Sequence, residues 1–158
     1  MIRVFVYGTL KRGYNNNRLL TGSTFVATAT TMDRWSMLDG GFPVVLPGTD
    51  GFVTGEVWEV DGATLARLDH LESNGRMYQR EVVEVELADG SFSEAWMYVG
   101  CRGRWEDVED DWPQARPSRA DRLTWPTRDD DGLDEEDLES MAEEVRDKVA
   151  RRAAARMR

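Results

Sequence analysis

The sequence predicts an α+β domain followed by a helical extension, and three observations predict it. Residues 52–60, 79–88 and 92–99 alternate with the two-residue period of strands. Residues 62–73 carry helical spacing behind a capping aspartate, Asp61. After Gly100 the composition turns acidic and proline-bearing, and the chain ends in a second helical pattern.

Residues 2–7 are apolar and β-branched up to Gly8, which makes them a strand. Gly8-Thr9-Leu10-Lys11-Arg12-Gly13 punctuates the chain with two glycines. Asn15, Asn16 and Asn17 supply turn and helix-cap material before a short turn at Arg18-Leu19-Leu20. Residues 24–32 read as a strand, and 34–38 and 43–46 as two short ones around Gly40-Gly41. Pro43 and Pro47 put the last of these at an edge or a bulge. In 52–60, Val53, Gly55, Val57 and Glu59 face one way, and Thr54, Glu56, Trp58 and Val60 the other. The helix over 62–73 follows. Asp89-Gly90 joins strands 79–88 and 92–99 as a hairpin, with Ala95, Met97 and Val99 opposite Trp96 and Tyr98. These elements make a domain over residues 1–105. An acidic, proline-containing connector spans 106–133. An amphipathic helix spans 134–158, where Leu138, Met141, Ala142, Val145 and Val149 form one stripe.

Of the 158 residues, 41% are hydrophobic, enough for a packed core, and the net charge of −10 argues against a nucleic-acid partner. No stretch approaches the ~20 apolar residues of a membrane span, and the short apolar start does not read as a signal peptide. One cysteine, Cys101, leaves no internal disulfide and suits a reducing, cytoplasmic setting. With one histidine, His70, a zinc site built from Cys and His is excluded, as are a Walker loop and a G-x-G-x-x-G fingerprint. Acid–base chemistry therefore falls to carboxylates, tyrosines or arginines.

Three places are candidates for it. Leu65, Leu68 and Glu72 fall at i, i+3 and i+7, so Glu72 continues an apolar stripe, where a carboxylate is costly unless paired or used. The plainer reading makes Glu72 a solvated residue of a fraying last turn, although a glutamate there opposes the helix dipole. The turn Tyr7-Gly8-Thr9-Leu10 can aim several backbone N–H groups one way and hold an anion; it also reads as an ordinary glycine turn. Tyr78 and Arg80 share a strand face that Tyr98 can approach, as a pocket wall or as cross-strand packing.

Together these segments resemble the γ-glutamyl cyclotransferase-like superfamily, in its γ-glutamylamine cyclotransferase and AIG2-like branch. The resemblance is carried by Val6 to Gly13, by Phe42-Pro43-Val44-Val45, and by Gly55 to Val60. It is densest at Leu68-Asp69-His70-Leu71-Glu72 with Met77-Tyr78-Gln79-Arg80, and ends with Trp96-Met97-Tyr98. It implies a small mixed β-barrel flanked by helices, with a cavity where the first turn meets the helix bearing Glu72. It implies that Glu72 is the catalytic residue, that Tyr7, Gly8, Thr9 and Leu10 hold the substrate, and that Tyr78 and Tyr98 line the pocket. It gives Asp69 and Arg80 supporting roles. No metal and no organic cofactor are expected, and the partner is a small γ-glutamyl molecule.

The reaction implied is attack of the substrate's own α-amine on its γ-carbonyl, releasing 5-oxoproline and an amine. The γ-glutamylamines are the favoured substrates, ahead of γ-glutamyl dipeptides, glutathione or a γ-glutamylated biosynthetic intermediate. The alternative from another class is a non-catalytic binding or regulatory module that works through the same pocket and the C-terminal helix. That helix packs on its own barrel or on a partner.

Overall fold

The computed structural model describes residues 1–101, 105 and 112–126. The helix expected over 134–158 and most of the 106–133 connector lie outside them. The described elements are β1 (Ile2–Val6), a 3-10 helix (Asn15–Leu20), β2 (Thr24–Asp39), β3 (Pro43–Pro47), β4 (Gly51–Val60), α1 (Gly62–Leu71), β5 (Tyr78–Leu87), β6 (Phe92–Gly100), a short 3-10 turn (Arg119–Asp121) and β7 (Arg122–Leu123).

Five strands close a ring. β2 pairs with β5, β5 with β6, β6 with β1, β1 with β4, and β4 again with β2. Only the β1–β6 contact within the ring is parallel, which makes the barrel mixed. β3 extends the sheet from β2 and β7 from β4. The prolines explain why β3 stands at an edge, since neither Pro43 nor Pro47 has an N–H to give a second neighbour.

Strand alternation divides the apolar residues into two cores. Phe5, Val53, Val57, Val85, Met97 and Val99 fill the barrel. Val4, Val6, Trp58, Val60, Tyr78 and Tyr98 face outward and meet α1 through Leu65 and Leu68. Burying each of these two leucines stabilises the fold by about 1.5–3 kcal/mol. Asp61 starts α1 by accepting a 2.7 Å hydrogen bond from the Thr64 N–H. The hairpin turns at Gly90, whose φ of +86° favours glycine.

Two sequence expectations are corrected. The strands expected at 24–32 and 34–38 are one strand, β2, bent by a register shift between Thr30 and Arg34. The Thr31 hydroxyl carries the chain through the bend: it donates to Asp33 O (2.8 Å) and accepts from Val53 N (3.0 Å). The asparagines do not cap. They enter the 3-10 helix, and Asn16 and Asn17 reach back to Thr9 Oγ1 and Leu10 O, each at 2.8 Å. The compact unit runs Met1–Thr127, and Ala115, Leu123 and Trp125 are buried in the barrel core.

Candidate active site

The site lies where β1 ends. Glu56, buried on β4, accepts from the Arg12 backbone N–H (2.9 Å), from Arg12 Nε (3.1 Å) and from Trp58 Nε1 (3.2 Å). Those bonds fix the far side of the turn that follows β1. The near side is Gly8, where an added Cβ would come within 2.7 Å of Pro43 Cγ. Glycine is needed at this position for the close approach of β3, since its φ is not among the positive ones.

On the other side, α1 stops one residue before Glu72, earlier than the 62–73 span expected. Glu72 is its C-cap, and Ser73, with φ of +47°, turns the chain away. Glu72 is therefore a half-buried cap that faces the turn after β1, rather than a member of the helix's apolar stripe. Leu71 beside it is exposed. Asp69, one helical turn earlier, ties α1 to the sheet. Its carboxylate accepts from Arg80 Nε (2.8 Å) and Nη2 (3.2 Å), and from the Tyr98 hydroxyl (2.7 Å).

Between the turn and the C-cap lies a cavity of about 580 Å³. Every expected site residue lines it: Tyr7, Gly8, Thr9, Leu10, Glu72, Tyr78 and Tyr98. The tyrosine hydroxyls are spoken for. Tyr7 donates to Tyr98 O (2.6 Å) and accepts from Val45 N; Tyr78 donates to Pro43 O (3.3 Å). Burial, with the Glu72 charge among the further causes, pushes all three phenols well above their ordinary value. They stay protonated at neutral pH and act as donors. Glu72 behaves differently. Burial alone raises its carboxyl from 4.5 to about 7, and among the described residues no cation pairs with it. It is thus the described cavity group whose proton moves near neutral pH.

Part of the lining was not anticipated. Trp105 stands at 5.7 Å from Tyr78 and 6.3 Å from Phe42 between ring centroids, and its indole donates to Met77 O (2.9 Å). Trp125 lies against Tyr14 at 5.1 Å. Trp105 is the last residue of the domain expected over 1–105, and Trp125 lies in the expected connector. Their signal was the recurrence of large aromatics, with Trp112, in a segment otherwise rich in charge and proline.

The family model described as γ-glutamyl cyclotransferase, AIG2-like, matches residues 4–116. A γ-glutamylcyclotransferase family protein of Escherichia coli is 34% identical over 99 residues, 62% of this chain and 81% of the relative. Human γ-glutamylaminecyclotransferase is 38% identical over 99 residues, 56% of this chain and 65% of the human protein. The crystal structure of a mouse AIG2-like protein superposes with a TM-score of 0.60 at 32% identity, covering 64% of this chain and 78% of the mouse chain. A family match over more than two-thirds of the sequence, on a closed five-stranded mixed barrel that superposes on the mouse protein, makes the chain a member of the AIG2-like γ-glutamyl cyclotransferase family of enzymes.

Proposed function

We propose that the chain releases 5-oxoproline and a free amine from a γ-glutamylamine, with Glu72 carrying the protons. The observation that carries this reading is the position of Glu72: a carboxyl raised to about 7, in a cavity whose tyrosines hold their protons. The γ-glutamyl group lies between Glu72 and the Tyr7-Gly8-Thr9-Leu10 turn, whose backbone N–H groups orient its charged end.

The substrate α-amine, with a reference pKa of about 7.7–8.0, is bound as an ammonium and must lose a proton to become a nucleophile. Glu72 takes it. The free nitrogen attacks the γ-carbonyl carbon and a five-membered ring closes. The bond from that carbon to the leaving nitrogen then breaks as Glu72 returns a proton to it. The two protons lost by the ammonium equal the two gained by the departing amine, so neither water nor a covalent enzyme intermediate enters the balance. Tethering supplies proximity, and positioned proton transfer contributes roughly 10²–10⁴-fold.

The substrate class is supported by the Tyr78-Gln79-Arg80 segment and by similarity to the human γ-glutamylamine enzyme. Glu72→Gln keeps the size and cap position of the side chain and removes its base. We expect a folded protein whose 5-oxoproline release falls by at least the ~10²-fold contribution of a positioned proton carrier. Near-normal release by folded Glu72→Gln would remove Glu72 from the mechanism. Absence of release by wild type across γ-glutamylamines, dipeptides and glutathione would favour the binding-module reading.

A further inference from the structure

Residues 112–126 form a strap across the barrel, built at several points. Leu38 bridges Gln114, and the Ala115 N–H donates to Met37 O (2.8 Å). Arg34 pairs with Asp121 (2.8 Å). An added Cβ on Gly51 would lie 2.5 Å from Asp121 O, so β4 and the strap meet closely. β7 runs parallel to β4, with Phe52 opposite Arg122 and Val53 opposite Leu123. The strap's last described turn brings Trp125 to the cavity.

Trp125 lies beyond the family match, which ends at residue 116. Its indole N–H donates to Asp39 Oδ1 (3.2 Å), and its carbonyl accepts from the Lys11 ammonium. Its ring partner among the described residues is Tyr14. Trp105, by contrast, is packed against Phe42, Tyr78 and Trp112. Trp125 is thus anchored by its polar atoms and forms part of the wall of a cavity larger than a glutamyl group fills.

The chemistry of the lining limits what occupies that space. Beyond the turn and Glu72, the described walls are largely aromatic and apolar. The nearby Lys11 ammonium is engaged by Trp125 O and lies over the Tyr14 ring. An aromatic or alkyl body would meet ring faces.

We infer that Trp125 is a specificity residue for the leaving amine, and that the preferred amines carry an aromatic or alkyl body. This rests on the cyclotransferase reading above. The test uses the full chain with γ-glutamyl-methylamide, γ-glutamyl-benzylamide and γ-glutamyl-glycine, reading kcat/KM from 5-oxoproline release. Wild type should prefer the benzylamide to both others by about tenfold, the size of one good aromatic contact. Trp125→Ala should lower the benzylamide-to-methylamide ratio about tenfold, and Trp125→Phe should keep most of it. A ratio is blind to the fraction of protein folded, so a purely structural role for Trp125 would leave it unchanged. An unchanged ratio in both variants, or glycine derivatives turned over as well as the benzylamide, overturns the inference while the cyclotransferase reading stands. No release by wild type from any of the three overturns both.

Discussion

Glu72 combines two properties that usually conflict, exposure to a substrate and a carboxyl that holds its proton near neutral pH. In the proposed mechanism the active combination is an ionised Glu72 facing a protonated α-amine. The rate constant kcat/KM should therefore follow a narrow bell, rising through about 7 as Glu72 ionises and falling through about 7.7–8.0 as the free substrate loses its proton. A rising limb centred below pH 5 would mean that burial does not raise the group whose ionisation the rate follows, or that this group is not Glu72. The same shift has a cost in stability. Between the ordinary value of 4.5 and the folded value of about 7, the native state binds more protons than the unfolded chain, so stability falls as pH rises through that window. Glu72→Gln escapes this. It should gain on the order of 2 kcal/mol over wild type at pH 8, allowing for the carboxylate's remaining contact with solvent, and the gain should vanish at pH 4. Urea unfolding midpoints at the two pH values measure it, and equal gains at both would refute the linkage. Glu72 was legible in the sequence as a carboxylate out of place on an apolar stripe. Its position as a C-cap was not, because the helix end depends on the left-handed turn at Ser73.

At the scale of elements, the ion pair between Asp69 and Arg80 decides how α1 sits on β5. Two hydrogen bonds join them, the Tyr98 hydroxyl adds a third, and both partners are largely shielded. Arg80→Met leaves Asp69 facing the sheet without its cation, at a cost of about 1–3 kcal/mol. Because Asp69 precedes Glu72 by three residues on the same helix end, activity should fall further than lost stability explains, with kcat reduced in protein that melts as one cooperative unit. A variant with lowered melting temperature and normal kcat would confine the pair to a structural role. The sequence made α1 and the β5–β6 hairpin readable because their signals are local: Asp61 before the helix and Asp89-Gly90 between the strands. The continuity of β2 was hidden for the opposite reason. Its bend is held by a Thr31 hydroxyl that meets the Val53 N–H from another strand, 22 residues along the chain. No local window contains that partner, and the same holds for the β2–β4 pairing that closes the ring.

For the molecule as a whole, the difference between what composition suggests and what packing requires falls in residues 112–126. Charge and proline in this stretch gave it the look of a connector. A strap that touches the barrel with one residue in several needs few apolar side chains, so its burial leaves no periodic trace. Those few matter: Leu123 is fully buried, Ala115 and Trp125 nearly so, and all three belong to the barrel core. Removing buried side chains of the size of Leu123 and Trp125 costs roughly 2–5 kcal/mol each, and losing β7 also uncovers the edge of β4. Against a typical total of about 5–15 kcal/mol for a domain, that loss is close to the whole stability. A chain ending at residue 104, where composition alone would place the boundary, should therefore be unfolded or aggregated and release no 5-oxoproline. A chain ending at residue 127 keeps the strap and Trp125, and should melt cooperatively and retain turnover. Circular dichroism melting and product release on the two truncations make the comparison. A stable, active chain ending at 104 would show that the strap only rests on the barrel, and the wall provided by Trp125 would lose its structural basis with it.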